Sequence, residues 1–121
     1  MARYEELTID QGSDVALELE CVNDDGSKKN LTNYSVSAMA KRSYTDSDGD
    51  PETVIFNGVV ADPASNGIVT LNLTNTQTDS MNTRGRYVYD VELSFVDSSN
   101  TTIIERILEG HIEVSPSVTK P

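Results

Sequence analysis

Three aspartates at alternate positions, Asp46, Asp48 and Asp50 in the stretch YTDSDGDPE, come closest in type and spacing to a chemical site. Carboxylates spaced this way, with Gly49 among them, open many calcium loops, because calcium takes oxygen ligands. The helix–loop–helix calcium motif also needs Gly at its position 6 and a bidentate Glu at position 12. With Asp46 as the first ligand, those places fall to Pro51 and Asn57. Proline cannot make the bend that glycine supplies, an amide is not a carboxylate, and the flanks read as strands. The stretch is expected to be a solvated loop, with a weak, opportunistic cation site on Asp46, Asp48 and Asp50 as the alternative. No dedicated metal and no cofactor is expected.

The other reactive residue types are isolated. His111, the sole histidine, sits between Glu109 and Glu113 on one strand face. It reads as a surface or interface histidine, the alternative being a pH-sensitive contact or part of a metal site. Cys21, the sole cysteine, falls on an apolar strand face and reads as a small buried hydrophobe rather than a nucleophile, since no base has an evident claim to it. Arg84–Gly85–Arg86 reads as a basic turn beside acids, or as an anchor to an acidic partner. There is no nucleophile motif and no phosphate-cradling glycine loop, so no catalytic residue is assigned and the chain is expected not to be an enzyme.

The elements that would carry these residues are strands. Period-two alternation recurs: Val15, Leu17, Leu19 and Cys21; Tyr34, Val36, Ala38 and Ala40; Val54, Phe56, Gly58 and Val60; Val69, Leu71 and Leu73; Tyr87, Tyr89, Val91, Leu93 and Phe95. In the last strand Ile104, Leu108, Ile112 and Val114 are expected to share a face with Gly110, which signals a bulge or tight packing. Leu31 and Tyr34 read as loop anchors. One helical turn capped by Thr74 or Asn75 is expected near Met81. Turn signals every ~8–12 residues predict an all-β, antiparallel β-sandwich of about seven strands, Ig-like, as one domain over 1–121 with an extended tail at 115–121. Glu18, Glu20, Asp90, Glu92, Glu105, Glu109 and Glu113 are expected to form acidic outer faces, either solvated or turned to a basic neighbour.

Composition bounds the function. Twenty acids against nine basic residues give a net charge of −11, a field that repels nucleic acid and anionic membrane. One cysteine leaves no internal disulfide. The N-terminal stretch lacks an apolar signal region, so the Asn-x-Ser/Thr triplets at Asn30, Asn33, Asn72 and Asn100 are read as chance in a Thr/Asn-rich chain.

Three segments, IDQGSDVALELE, GRYVYDVELSF and RILEGHIEVSPSVT, occur in that order. Together they resemble a family of small all-β phage proteins that includes the N-terminal module of baseplate upper proteins in tailed phages. The shared positions are Ile9 and Gly12, then Gly85, Tyr87, Tyr89 and Asp90, then Leu108, Gly110, Ile112, Val114, Pro116, Val118 and Thr119. The resemblance implies an Ig-like sandwich and a structural role in the tail, baseplate or neck. It implies other virion proteins as partners, a homo-oligomer, synthesis in the bacterial host cytoplasm and residence in the virion. It carries no catalytic residue across. In larger family members the module precedes further domains, so this chain is expected to be a free-standing copy. The competing expectation is a β-sandwich adhesion module for carbohydrate, or one with weak calcium dependence.

Overall fold

The computed structural model describes residues 3–119. Its strands are β1 (Arg3–Tyr4), β2 (Leu7–Asp10), β3 (Val15–Glu20), β4 (Ser35–Lys41), β5 (Val54–Ile55), β6 (Asn57–Val60), β7 (Ile68–Leu73), β8 (Arg86–Val96) and β9 (Thr102–Ser115). One sheet runs β1-β9-β8-β4-β5, with β2 also on β9, and the other runs β3-β7-β6. Their apolar faces meet in a sandwich. Val69, Leu71 and Leu73 of β7 are buried against Tyr87, Tyr89, Val91 and Leu93 of β8. The single α-helix among the described residues, α1 (Asn75–Asp79), follows its cap Thr74. The Thr74 hydroxyl accepts from Gln77 N–H, and the Gln77 side chain accepts from Thr74 N–H. This reciprocal cap satisfies amides that a short helix leaves orphaned.

Two runs of chain close the sides of the sandwich. Val54–Val60 reads as one strand in its alternation but changes sheets at Phe56. β5 pairs with β4, Phe56 N–H donates to Ala38 C=O at 3.0 Å, and β6 pairs with β7. Gly58 makes the crossing possible, because a Cβ there would stand 2.8 Å from Val36 Cγ1. On the opposite side the N-terminal arm, β1 and β2, lies parallel to β9, whereas every other strand pair among the described residues is antiparallel. The arm passes over Gly110, where a Cβ would lie 2.0 Å from Glu5 C=O. Of the two meanings Gly110 carried in the sequence, close approach is the one that applies.

The bulge lies elsewhere, and it corrects two expectations. The partner of Val91 is Leu108, but the partner of Glu92 is Arg106, so Ile107 is an extra residue in β9. One inserted residue reverses the parity of every side chain beyond it. Ile104, expected on the core face with Leu108, therefore points outward and is 61% exposed. Glu105, expected on the outer face, pairs with Leu93 on the inner side, where Lys29 Nζ reaches it at 3.9 Å. The far half of the β8–β9 hairpin is roofed by the loop before β4. Leu31 is buried there with Cys21, Val69 and Leu93, and Tyr34 packs on Phe95 with ring centroids 4.8 Å apart. The segment 115–121 begins inside β9. Ser117 N–H donates to the Gln11 side chain at 3.1 Å and Val118 is fully exposed. Lys120 and Pro121 lie outside the described residues.

Candidate interaction surface

The outer face of the larger sheet gathers the charged residues that alternation turns away from the core. Met39 on β4 and Val88 on β8 form the floor of a groove of about 290 Å³. Lys41, Tyr44 and Asp48 line it on the β4 side, Asp90 and Glu92 along β8, and Arg106 and Glu109 on the β9 side. Arg106 spans the strands, with Nε 3.4 Å from Asp90 and Nη1 3.8 Å from Glu109. Lys41 Nζ meets Asp48 at 2.8 Å. Such exposed pairs each contribute about 0–1 kcal/mol, so they pattern the surface more than they hold the fold. Four carboxylates against two cations leave the groove acidic. Among the described residues Glu92 has no ion-pair partner.

The three aspartates of the β4–β5 loop do not converge. Asp46 accepts from Ser43 N–H at 3.1 Å, Asp48 takes Lys41, and Asp50 accepts from Glu52 N–H at 2.9 Å. Each carboxylate is committed to a separate turn or ion pair. Among the described residues no group of three or more His, Cys, Asp or Glu side chains stands close enough to hold a metal ion.

His111 shares the outer face with Glu109 and Glu113, but its contact comes from the arm. Tyr4 Oη lies 2.6 Å from His111 Nδ1, and the two rings meet edge-on with centroids 6.0 Å apart. With the imidazole neutral at Nδ1, the phenol donates. Partial desolvation raises the Tyr4 pKa, and the nearby Glu6 carboxylate adds to it. Sequence pattern missed this pair because its members are 107 residues apart. Cys21 is buried and unpaired as a thiol, and burial pushes its pKa up, away from the reactive thiolate. The arginines flanking Gly85 part company. Arg84 C=O accepts from Arg42, whose guanidinium lies 4.9 Å from the centre of the Tyr87 ring, and Arg86 pairs with Glu6 at 3.3 Å. Sequence reading also missed Tyr44, 77% exposed at the groove's rim. Its place in a polar loop outside any alternating strand was the available signal.

This arrangement of two sheets matches solved structures closely enough to classify. The structure of murine CRIg superposes with a TM-score of 0.51 at 14% identity, covering 92% of each chain. The chain has an Ig-like fold. The likeness reaches the architecture alone. No family model matches the chain, and no curated protein matches it.

Proposed function

We propose that this Ig-like chain is a non-enzymatic structural or adaptor protein of a tailed-phage virion, in the tail, baseplate or neck. It acts through protein–protein contacts with other virion proteins and with copies of itself. The observation that supports the reading best is the β8–β9 hairpin. Near its tip Val96 and Ile104 stand exposed on the outer face, each at 61%, and Ile103 is 39% exposed on the opposite face. Exposed apolar residues that share a face, as Val96 and Ile104 do, favour a contact surface. The resemblance of three ordered segments to phage modules supplies the setting. The isolated His111 and the buried Cys21 thiol favour assembly over turnover, and the net charge of −11 disfavours nucleic acid as a partner.

Quantitative mass spectrometry of gradient-purified particles induced from the source strain tests the reading. The chain is expected in the particle at a fixed copy number. A chain that is made in the cell yet absent from particles refutes the proposal. Truncation after Ser117 tests whether the tail beyond it docks on a neighbour. Unchanged solution mass and unchanged incorporation would sink that part.

A second reading, a carbohydrate-binding adhesion module, rests on Tyr44 beside the carboxylates of Asp48 and Glu92. Binding on a glycan array that is lost in Tyr44→Ala would favour it.

A further inference from the structure

The free edge of β3 borders an apolar cleft that leads into the sandwich. Cys21 N–H donates to Gly67 C=O at 2.7 Å, and β3 continues in register along β7 from Glu20–Ile68 to Val15–Leu73. Bonded and unbonded positions alternate in an antiparallel pair. The odd-numbered residues therefore bond to β7, and Ala16, Glu18 and Glu20 turn their N–H and C=O groups the other way. On that side β3 has no strand neighbour among the described residues. The same alternation sends Val15, Leu17 and Leu19 inward, yet all three remain only half-buried. Phe56, Leu71, Tyr89 and Leu108 behind them are buried. Between these layers lies a cleft of about 200 Å³, with Glu5, Leu7 and Glu18 at its border.

Volume and charge select the occupant. Small-molecule sites run to roughly 300–1,000 Å³, whereas an apolar cavity of about 150 Å³ accepts benzene. The cleft suits one large apolar side chain. Glu18 and Glu20 are exposed on the outer face and have no ion-pair partner among the described residues. A second copy's β3 would lay the same acidic row against them, and like charges across strands repel.

We propose that β3 is the docking edge for an extended segment of a partner protein in which Lys or Arg alternates with large apolar residues. The segment adds a fourth strand beside β3, bonding to the backbone of Ala16, Glu18 and Glu20. One apolar side chain fills the cleft, and the basic side chains lie along Glu18 and Glu20. This deepens the assembly reading and rests on it, naming the chemistry of one neighbour.

The probe is a capped, fluorescently labelled heptapeptide alternating Lys with Ile, Phe and Val, tested beside a Glu-for-Lys version and a proline-interrupted version. The basic peptide is expected to bind and to slow amide exchange at Ala16, Glu18 and Glu20. The double variant Glu18→Lys/Glu20→Lys should weaken that binding about tenfold, and added salt should weaken it too. Ala16→Pro should abolish it while the protein still melts cooperatively, because the Ala16 N–H faces away from β7 and proline is tolerated on such an edge. No binding at millimolar peptide, equal binding of the proline-interrupted peptide, or protection confined to β6 overturns the proposal. A chain that resides in particles but binds no such peptide sinks this inference and leaves the assembly reading standing. A chain that binds the peptide but is absent from particles sinks that reading instead.

Discussion

Replacing Gly110 by alanine is expected to lift the N-terminal arm off β9. The new Cβ would stand 2.0 Å from Glu5 C=O and 2.8 Å from its carbonyl carbon. Both are backbone atoms that no rotamer change can move. The arm has to retreat on the order of 1 Å to reach even a close van der Waals contact. Two bonds converge on that residue: Tyr89 Oη donates to Glu5 C=O at 2.7 Å, and Glu5 N–H donates to Glu109 C=O at 2.9 Å. With the β1 ladder they amount to about four hydrogen bonds at ~1 kcal/mol each. Alanine returns about 0.5–1 kcal/mol by restricting the unfolded chain. The expected net loss is about 3–3.5 kcal/mol, or roughly 12–14 °C in melting temperature for a domain of this size. Urea titration with the wild-type m-value provides the measurement. A double-mutant cycle sharpens it. Tyr89→Phe alone should cost about 1 kcal/mol, and much less in the Gly110→Ala background, where its acceptor has already moved. A loss below about 0.5 kcal/mol for Gly110→Ala, or full additivity in the cycle, would refute the close-approach account.

Three further outcomes follow from the geometry. Ile104→Lys should change stability by less than about 0.5 kcal/mol, while Leu108→Ala should cost about 2–5 kcal/mol by the same titration; comparable costs would mean that Ile107 does not reverse the parity of β9. Tyr89 is pushed up to about 12 by burial, with the Glu5 carboxylate adding to it. A tyrosine in the unfolded chain loses its proton near 10, so between these values the folded state binds more protons and stability should fall as pH rises through that window. Tyr89→Phe should flatten this fall, the Cys21 contribution being the same in both proteins; an unchanged slope in unfolding curves against pH would count against it. Millimolar calcium should leave the melting temperature where a chelator leaves it, and a clear rise that vanishes in Asp48→Asn would show that the three aspartates can rearrange around a cation.

The core was legible wherever strict alternation met a single sheet. Tyr87 to Phe95 reads correctly because the β8 inner face is covered along its length, and Ala38 and Ala40 mark the layer beneath the crossing run. The parity of Ile104 was not legible. An extra Ile in the apolar-rich RILEG leaves no turn residue and no change in composition to mark it. The arm escaped because RYEELTID is largely polar and its pairing is made through backbone groups. Gly110 was a visible signal, but the residue it accommodates lies more than a hundred positions away. For the surface, the acidic outer faces could be counted, whereas the groove depends on Arg106 reaching across strands and on Tyr44 standing clear of its loop. Those are properties of three-dimensional neighbours.

The parallel placement of the arm governs how the domain carries mechanical load. Tension applied at Arg3 and at Ser115 pulls β1 and β2 backward along β9 while drawing β9 forward. The Arg3–Leu108, Tyr4–Glu109 and Leu7–Ile112 through Asp10–Ser115 pairings are then strained together, in shear. A hairpin pulled apart from its open end gives way one bond at a time. Here the ladder between the arm and β9 resists as a unit, so tension that enters through Arg3 and Ser115 is borne by that one seam before it reaches the core.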